Sequence, residues 1–236
     1  MLTLRGIDSM KSFLAVVLLS ITCFIVACNP SWPHRYDTLR PEVMFHGFGT
    51  AIVLVRDNRS GVLDGLLTPQ EVGVVESING NSHAIQTATG HALAQDVGIS
   101  ICNSLNLKGF NCVPLVSGRA PVEDELDYVR RNYNPVRIVF MTIEEWDVKV
   151  LLKAKLAYGF NLRIYNGRGE LRTSLNTSGK EESGSVTAMN PAKEASVKIP
   201  EAMNGILSSL LSHPQVVTNM DMSQDIDAVT NRYKEH

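Results

Sequence analysis

Three near-continuous apolar runs stand out along the chain. They cover residues 48–55, 110–116 and 136–142, and runs of this kind predict strands that are covered on both faces. Between the first two runs, residues 83–107 carry apolar side chains at steps of three and four, which predicts a long helix with Ser82 as its N-cap. A helix between two buried strands is typical of an α/β layer.

The second half of the sequence changes to an alternating pattern. Apolar and polar residues alternate over residues 153–165, which predicts a strand with one solvent-exposed face. The glycine-rich turn at residues 166–169 predicts an antiparallel hairpin with the strand that follows. Residues 192–212 predict a last helix, which Pro200 is expected to kink or divide.

Shorter signals complete the predicted architecture. Residues 71–78 predict a strand before the turn at residues 79–81, a short helix is predicted to start at Pro121, and Gly109 is expected to end the long helix in the left-handed conformation. The predicted fold class is α/β (α+β), with a mixed β-sheet of about five to six strands. Two to three helices pack on this sheet, and a C-terminal antiparallel hairpin belongs to it.

The start of the chain has the pattern of an export signal. Lys11 precedes an apolar stretch over residues 13–26, and residues 25–28 read Ile-Val-Ala-Cys, which resembles the lipobox at which bacteria cut and acylate a precursor. We expect translation to start at Met10 and Cys28 to carry the lipid. The alternatives are an uncleaved membrane anchor and a secretory signal with an incidental cysteine. An apolar stretch of about 15 residues is shorter than the roughly 20 that cross a bilayer, which counts against the anchor.

These signals divide the chain into four parts. We expect a lipoprotein signal peptide over residues 1–27, a tether over residues 28–44, a single α/β domain over residues 45–213 and a polar tail over residues 214–236. In lipoproteins of this kind, a residue other than aspartate after the cysteine implies sorting to the outer membrane, and Asn29 meets that condition. The expected location is therefore the bacterial outer membrane, with the domain facing the periplasm and palmitate-type chains holding it there.

The charge balance argues against a nucleic-acid partner. The chain has 22 basic and 24 acidic residues and a net charge of −2, and removal of Arg5, Asp8 and Lys11 with the signal changes the net charge to −3. No run of lysine or arginine is present. The chain therefore lacks the basic surface that would attract nucleic acid or anionic lipid.

Two cysteines remain in the expected exported domain. Cys23 belongs to the predicted signal and Cys28 to the lipid site, which leaves Cys102 and Cys112 in a compartment where disulfides form. They are expected either to form a disulfide or to be two buried apolar side chains. We expect no metal, since neither a C-x-x-C motif nor a paired histidine suits zinc.

The loop over residues 57–70 is the strongest candidate for chemistry. Asp57, Asp64 and nearby Glu71 supply carboxylates at the end of a predicted strand, where open α/β sheets place ligands. Their spacing does not match a calcium loop. The alternative is a solvated loop in which these side chains serve turn geometry.

Other candidates for catalysis lack a partner at the required spacing. His83 and His91 are eight residues apart, so they cannot act as a metal-binding i, i+4 pair. Ser117 and Ser183 lie beside glycines, but neither belongs to a G-x-S-x-G elbow. No glycine-rich loop follows a strand and opens a helix, so no nucleotide cofactor is indicated. We expect a protein that is not an enzyme and has no cofactor.

Trp146 is a candidate contact for a protein partner. Large aromatic side chains dominate the energetics of many interfaces, and Trp146 lies in a polar context, between Glu145 and Asp147. The alternative is that Trp146 covers one edge of the sheet core. A free edge of the predicted hairpin is a further candidate, because its unpaired amides and carbonyls suit a partner strand.

Three segments carry a resemblance to a known family. Residues 107–113, 143–146 and 162–171 resemble the helix-glycine-aromatic-strand step and the hairpin of small bacterial outer-membrane lipoproteins built like the amino-terminal domain of TolB, the YajG type. The resemblance spans roughly residues 48–211. It implies a mixed sheet with helices packed on it and a role in envelope assembly without catalysis. The long loop at 57–70 and the tail after Pro214 depart from the pattern.

The expected function follows from the address and this resemblance. We expect a non-catalytic, protein-binding scaffold or accessory subunit of the cell envelope, anchored to the membrane through Cys28, with envelope proteins or further copies of itself as partners. One alternative is a subunit of a secretion or surface-appendage complex. Another is a hydrolase or small-ligand carrier that uses a pocket beside residues 57–70.

Overall fold

The computed structural model describes residues 32–76, 79–183 and 190–222. The predicted signal peptide, Cys28 and the end of the predicted tail lie outside these ranges. Within them the strands are β1 (Thr50–Asp57), β2 (Glu71–Glu76), β3 (Ser82–Gln86), β4 (Asn111–Val116), β5 (Arg137–Val150), β6 (Ala154–Asn166) and β7 (Leu171–Ser183). The helices are α1 (Ser60–Leu63), α2 (Leu93–Leu107), α3 (Val122–Tyr133), α4 (Pro191–Leu211) and α5 (Pro214–Met220). The predicted class, a mixed sheet with helices packed on it, is confirmed, although the described residues form seven strands and five helices.

Strand β5 organises the sheet because it is long enough to hold two strands end to end. Its first half pairs in parallel with β1, from Arg137 to Ile143, and its second half pairs in parallel with β2, from Val148 to Val150. On its other side β5 pairs with β6 along its whole length, in antiparallel orientation. Strand β4 adds to β1, β3 to β2 and β7 to β6. Among the described strands, β3, β4 and β7 are therefore the edges of the sheet.

Helices cover the two faces of the sheet unequally. The larger core lies on the face covered by α2, α4 and α5, and the smaller core lies under α3. Successive residues of β1 divide between them: Val53 packs into the larger core, whereas Ile52 and Leu54 pack under α3. This two-sided burial is why the sequence of β1 is an unbroken apolar run. The hairpin of β6 and β7, joined at Asn166, is present as predicted.

The predicted start of the long helix is wrong. Residues 82–86 form β3, an antiparallel partner of β2, and α2 begins only at Leu93. Between them the chain turns at Gly90, whose φ of +72° is a left-handed conformation. The strand was hidden because Ile85 is its only buried residue, so five residues carry too little alternation to compete with the helical pattern that follows. The predicted end is correct, since Gly109 follows α2 with a φ of +96°.

Pro200 does not divide the last helix. Helix α4 runs as one helix from Pro191 to Leu211 with Pro200 inside it. Pro200 itself is buried, as are Ile199 and Met203 beside it, at 1% and 0% exposed. Burial of this apolar face offsets the loss of one backbone hydrogen bond, for which proline alone costs about 3 kcal/mol.

The domain extends beyond both of its predicted ends. Residues 32–45, which we call the strap, include part of the predicted tether, yet Tyr36 and Phe45 in it are fully buried. At the other end, α5 lies in the predicted tail and buries Val216 and Met220 completely. The rest of the predicted tether and tail, residues 28–31 and 223–236, lies outside the described ranges.

A disulfide joins α2 to the edge strand β4. The structure links Cys102 and Cys112, whose Cα atoms are 5.2 Å apart. The chain between them turns at Gly109, where a Cβ atom would lie 2.4 Å from the carbonyl oxygen of Gly47. Glycine is therefore required there by space as well as by its positive φ, and it lets β4 begin close to the helix end.

We expect replacement of both bridged cysteines, C102A with C112A, to lower the free energy of unfolding by about 3 kcal/mol, because the unfolded chain regains the freedom of the closed loop. Urea unfolding with and without a reductant measures this. The reductant should destabilise the unaltered protein by a similar amount and leave the double variant unchanged. Equal stability of both proteins in oxidising buffer would show that the bridge is not formed.

Candidate functional site

A chain of three buried hydrogen-bonding groups fixes the strap to the sheet. The indole Nε1 of Trp146 donates to the Tyr36 hydroxyl at 3.1 Å, and that hydroxyl lies 3.1 Å from Nδ1 of His34. Because the phenol oxygen accepts from the indole, its own proton is free to be donated to the imidazole. The rings of Tyr36 and Trp146 also meet edge to face, with centroids 5.9 Å apart. The strap is therefore attached to the middle of β5.

Backbone hydrogen bonds fix the direction of the strap. The His34 amide donates to the carbonyl of Gln86 at 2.9 Å, and the Ala88 amide donates to the carbonyl of His34 at 2.8 Å. These bonds form a parallel bridge between His34 and Thr87. The strap thus runs in the same direction as β3, which ends at Gln86.

Trp146 belongs to the core of the domain. Only 2% of its surface is exposed, and its ring packs against Phe160 as well as Tyr36. The side chain points into the larger core because a bulge in β5, between Ile143 and Glu145, shifts the alternation by one residue. The structure therefore supports the alternative stated above, in which Trp146 covers the sheet, and the indole of Trp146 is not exposed to a partner.

Burial changes the protonation of this cluster. Desolvation lowers the pKa of His34 to about 4 and raises the pKa of Tyr36 above its ordinary value. The Nε2 atom of His34 has no hydrogen-bond partner among the described residues, so a second proton on the ring would be a buried, uncompensated charge. Neutral His34 and neutral Tyr36 are the forms that fit this site.

A second buried group lies at the start of α2. The side chain of Asp96 is fully buried, and its two oxygens accept from the Thr89 hydroxyl at 2.9 and 2.8 Å. Burial raises the pKa of Asp96, while the bond from Thr89 and the nearby His91, 3.4 Å away, act in the opposite direction. His91 is thus used at this turn, whereas His83 is exposed on β3. Within the described ranges, no three metal-binding side chains come together.

The loop after β1 uses its carboxylates for its own structure. Arg59 is 3% exposed and forms an ion pair with Asp57 at 2.7 Å. Arg59 also donates to the carbonyls of Glu71, at 2.6 Å, and Pro69, at 3.2 Å. The carboxylate of Glu71 accepts from the Thr68 amide at 2.8 Å. Asp57 and Glu71 are therefore committed to holding the loop against β2, and the exposed Asp64 does not join them.

A second ionic cluster, which the sequence did not indicate, lies at the carboxyl ends of β1 and β4. Arg56 is 3.3 Å from the carboxylate of Glu125, donates to the Ser117 hydroxyl at 2.9 Å, and lies 5.1 Å from the centre of the Phe140 ring. Ser117 in turn donates to Glu125. This network joins the start of α3 to the two strands. Its hydroxyl is held between the carboxylate of Glu125 and the guanidinium of Arg56.

An open groove of about 450 Å³ runs beside α3. Its lining comes from β1, β4, α3 and the connection between the last two, and includes Leu115, Val116, Tyr128 and Tyr133. Val116 and Tyr128 are more than half exposed. The groove is not lined by residues 57–70, so the pocket expected beside that loop is not at this place.

The two long edges of the sheet differ in their protection. On β4, the amides of Asn111 and Ser117 donate toward β1. The backbone amides of the even-numbered residues between them therefore point away from β1, to the outside of the sheet. Pro114 occupies such a position and removes an outward donor, a common way to protect an edge. Strand β7 has thirteen residues and no proline, and in the described structure it pairs only with β6. The edge of β7 thus presents unpaired backbone groups over a length that suits a partner strand.

Comparisons with known proteins find similarity in structure alone. No protein family matches the chain, and no curated protein sequence matches it. Solved structures that resemble it include a DUF330 protein from Xanthomonas campestris, with 8% identity over 80% of this chain and 95% of that chain and a TM-score of 0.46. A PelC dodecamer from Paraburkholderia phytofirmans has 16% identity over 74% and 94% of the two chains and a TM-score of 0.36. Lipoprotein GNA1162 from Neisseria meningitidis has 10% identity over 67% and 100% and a TM-score of 0.28.

These values describe a likeness in the course of the chain and do not extend to function. In the part of the chain that the structure describes, no helix has the length and apolar character needed to cross a membrane.

We expect the protein to lose stability as the pH falls from about 6.5 toward 4, because the His34 pKa is depressed in the folded state and the unfolded chain binds the proton first. The stability that neutral His34 contributes is fully present above pH 6.5. About 3 kcal/mol of it is lost by the time the pH reaches 4. Asp96 acts in the opposite direction, since its raised pKa relieves a cost when the carboxyl takes up a proton.

The difference between the unaltered protein and His34→Gln isolates the histidine. Urea unfolding at several pH values should show a flatter profile for His34→Gln between pH 6.5 and 4, and an unchanged profile for a substitution of the exposed His83, His83→Gln. Parallel profiles for all three proteins would contradict the assignment of the acid sensitivity to His34.

Proposed function

We propose that the protein is a lipid-anchored, non-catalytic subunit of the bacterial outer membrane, whose domain faces the periplasm and binds a protein partner. The single observation that carries this proposal is the lipobox-like sequence that ends at Cys28. Acyl chains contribute about 0.8 kcal/mol for each buried methylene, and two or more chains make a stable anchor. Asn29 after the cysteine supports the outer membrane as the destination.

The strap supports the idea of a domain held close to its anchor. His34 is bonded to the sheet, and five residues lie between it and Cys28. The six residue steps from Cys28 to His34 extend to about 20 Å at most. A globule on so short a connection stays at the membrane surface, which suits a part of an envelope assembly better than a freely diffusing carrier.

The internal use of polar side chains supports a role without catalysis. Asp57 is paired with Arg59, and Asp96 accepts from Thr89. In each case the reactive group is held by neighbours that also join two parts of the fold. Such groups are positioned for stability, since an acid or base in catalysis must be able to face a substrate.

The β7 edge is the surface that we assign to the partner. An extended segment of a partner adds to such an edge through backbone hydrogen bonds, while alternate side chains supply specificity. Along β7, Leu175 and Thr177 are half-buried, and Ser174, Asn176 and Ser178 are exposed. A polar, regular edge of this kind suits a specific partner strand. A second copy of the chain is the alternative occupant, and pairing of two β7 strands would make the protein a subunit of a larger secretion or appendage assembly.

We expect Cys28→Ser to release the protein from the membrane fraction, because the thioether that carries the lipid can no longer form. The measurement is fractionation of cells with immunoblotting, together with the intact mass of the purified protein. Cys23→Ser is the matched control, since it makes the same substitution within the predicted signal and leaves the lipobox intact. Unchanged membrane association of Cys28→Ser would contradict lipid anchoring at this residue.

A proline in β7 that removes only an outward donor should weaken partner binding without unfolding the domain. Neighbouring amides of a strand point in opposite directions, so one of Thr177→Pro and Ser178→Pro removes a bond to β6 and the other removes only an outward donor. The more stable of the two variants is the informative one. It should lose roughly tenfold in the yield of crosslinked partner in intact cells.

Size-exclusion chromatography of the same variants distinguishes the two occupants. If β7 pairs with a second copy, the unaltered protein is an oligomer and the informative proline variant is a monomer. If both proline variants retain the crosslinked partner, the β7 edge is not the contact.

A further inference from the structure

The tip of the β5–β6 hairpin carries exposed apolar side chains. Strand β5 ends at Val150 and β6 begins at Ala154, and the turn between them contains Leu151 and Leu152. Their side chains are 45% and 50% exposed. Leu152 also lines a shallow crevice with Pro191 and Ala195 of α4, so part of its side chain is covered and half of it faces solvent. The turn itself makes no demand that a polar residue would not meet.

Lysines surround the two leucines, and each side of the tip is balanced in charge. Lys149 lies 3.1 Å from Asp147, and Lys153 lies 3.7 Å from Glu182. Glu76 and Lys155 complete the lining of an open depression of about 400 Å³ at this end of the sheet. The tip therefore has an apolar end and a rim of long charged side chains with little net charge. Lysine stems at such a rim can lie along lipid while the ammonium groups stay in water.

The strap leads toward the same end of the sheet. It runs parallel to β3, and β3 begins at Ser82, which pairs with Glu76 close to the tip, and ends at Gln86. Trp32 and Pro33, which precede His34, therefore approach it from the tip end of the sheet. His34 lies beside Thr87, next to Gln86. Gln86 pairs with Glu71, and Gly73 pairs with Val148, so His34 lies at about the level of Trp146 along the strands. That is six residues, or roughly 20 Å, from the leucines.

Two lengths therefore agree. The chain from Cys28 to His34 reaches about 20 Å when extended, and the tip lies at about the same distance from His34 in the direction from which the strap comes. An acylated Cys28 can thus reach the level of Leu151 and Leu152. Chain length and strap direction together favour a lipid surface, rather than a soluble partner, as the occupant of the tip.

We propose that Leu151 and Leu152 insert into the lipid surface beside the acylated Cys28 and so form a second, weaker membrane contact. This inference rests on the proposed lipid anchor. Two partly exposed leucines bury too little area for stable binding on their own, but the anchor makes the contact intramolecular and so raises its effective concentration. With two attachment points the domain keeps a fixed orientation, in which the β6–β7 turn faces away from the membrane.

Because the charges at the tip are balanced, insertion should not require anionic lipid. Lys149 and Lys153 are already paired with Asp147 and Glu182, so little electrostatic attraction to a negative surface remains. The apolar contact should therefore persist in vesicles of phosphatidylcholine alone. This separates the proposed contact from ordinary binding of a basic patch to anionic headgroups.

The test uses a fluorescent label on the full, acylated protein reconstituted into vesicles. Leu152→Cys carries the label NBD at the tip. Leu171→Cys carries it at the matched control position, a leucine that is 54% exposed at the other end of β6, about 40 Å away. The unaltered protein should take up no label, because its cysteines are acylated or bridged. Quenching by spin-labelled phosphatidylcholine should be roughly threefold stronger at position 152 than at position 171, with and without phosphatidylglycerol.

The outcomes separate this inference from the lipid anchor. Equal, weak quenching at both positions in protein whose intact mass shows the acyl chains overturns the tip contact and leaves the anchor in place. Quenching that appears only with phosphatidylglycerol overturns the apolar mechanism. A change in label emission that depends on protein concentration and needs no vesicles identifies a second copy as the occupant. A mass without acyl chains removes the proposed anchor, and the tip contact with it.

Discussion

The structure depends on a mismatch of lengths in the sheet. Strand β5 has fourteen residues, and β1 and β2 share one of its sides because neither covers it alone. A gap is left where β1 has ended, at Ile143, and β2 has not yet paired, at Val148. Unpaired strand in the middle of a sheet exposes both backbone groups and core, so this junction has to be filled.

The strap and the loop after β1 both contact the protein at that junction, the strap through the Trp146 side chain and the loop through the carbonyl of Ile143. The strap brings Tyr36 and His34 over Trp146, which lies within the gap, and Arg59 holds the loop by bonds to Asp57 and to two carbonyls. Both contacts bury polar atoms, and nearly all of these atoms have a hydrogen-bond partner. Buried polar groups support a fold under that condition. The chain next to the expected lipid site is thereby part of the sheet architecture instead of a loose leader.

The sequence predicts the elements in which local pattern and tertiary environment agree. The buried runs of β1 and β4, the β6–β7 hairpin and the glycine that ends α2 each have a signal within a few neighbouring residues. The sequence does not predict the elements whose burial is decided by residues far away in the chain. The strap looks like a proline-rich linker, and only a partner 110 residues away, Trp146, reveals that Tyr36 is buried. The role of Trp146 was hidden by a bulge, because one extra residue reverses which side chains face the core. The pair of Arg56 and Glu125 was not predicted, because β1 and α3 are far apart in the sequence and meet only in the folded protein.

The short span of the disulfide bears on the order in which the protein matures. Ten residues separate Cys102 from Cys112, whereas the pairs that join β5 to β1 connect residues more than eighty positions apart. In the export that we propose, the two thiols emerge almost together, before β5, β6 and β7 have left the translocon. Oxidation would then fix α2 beside β4 in a nascent chain that still lacked its central strand, so the bridge would set a starting point for assembly of the sheet.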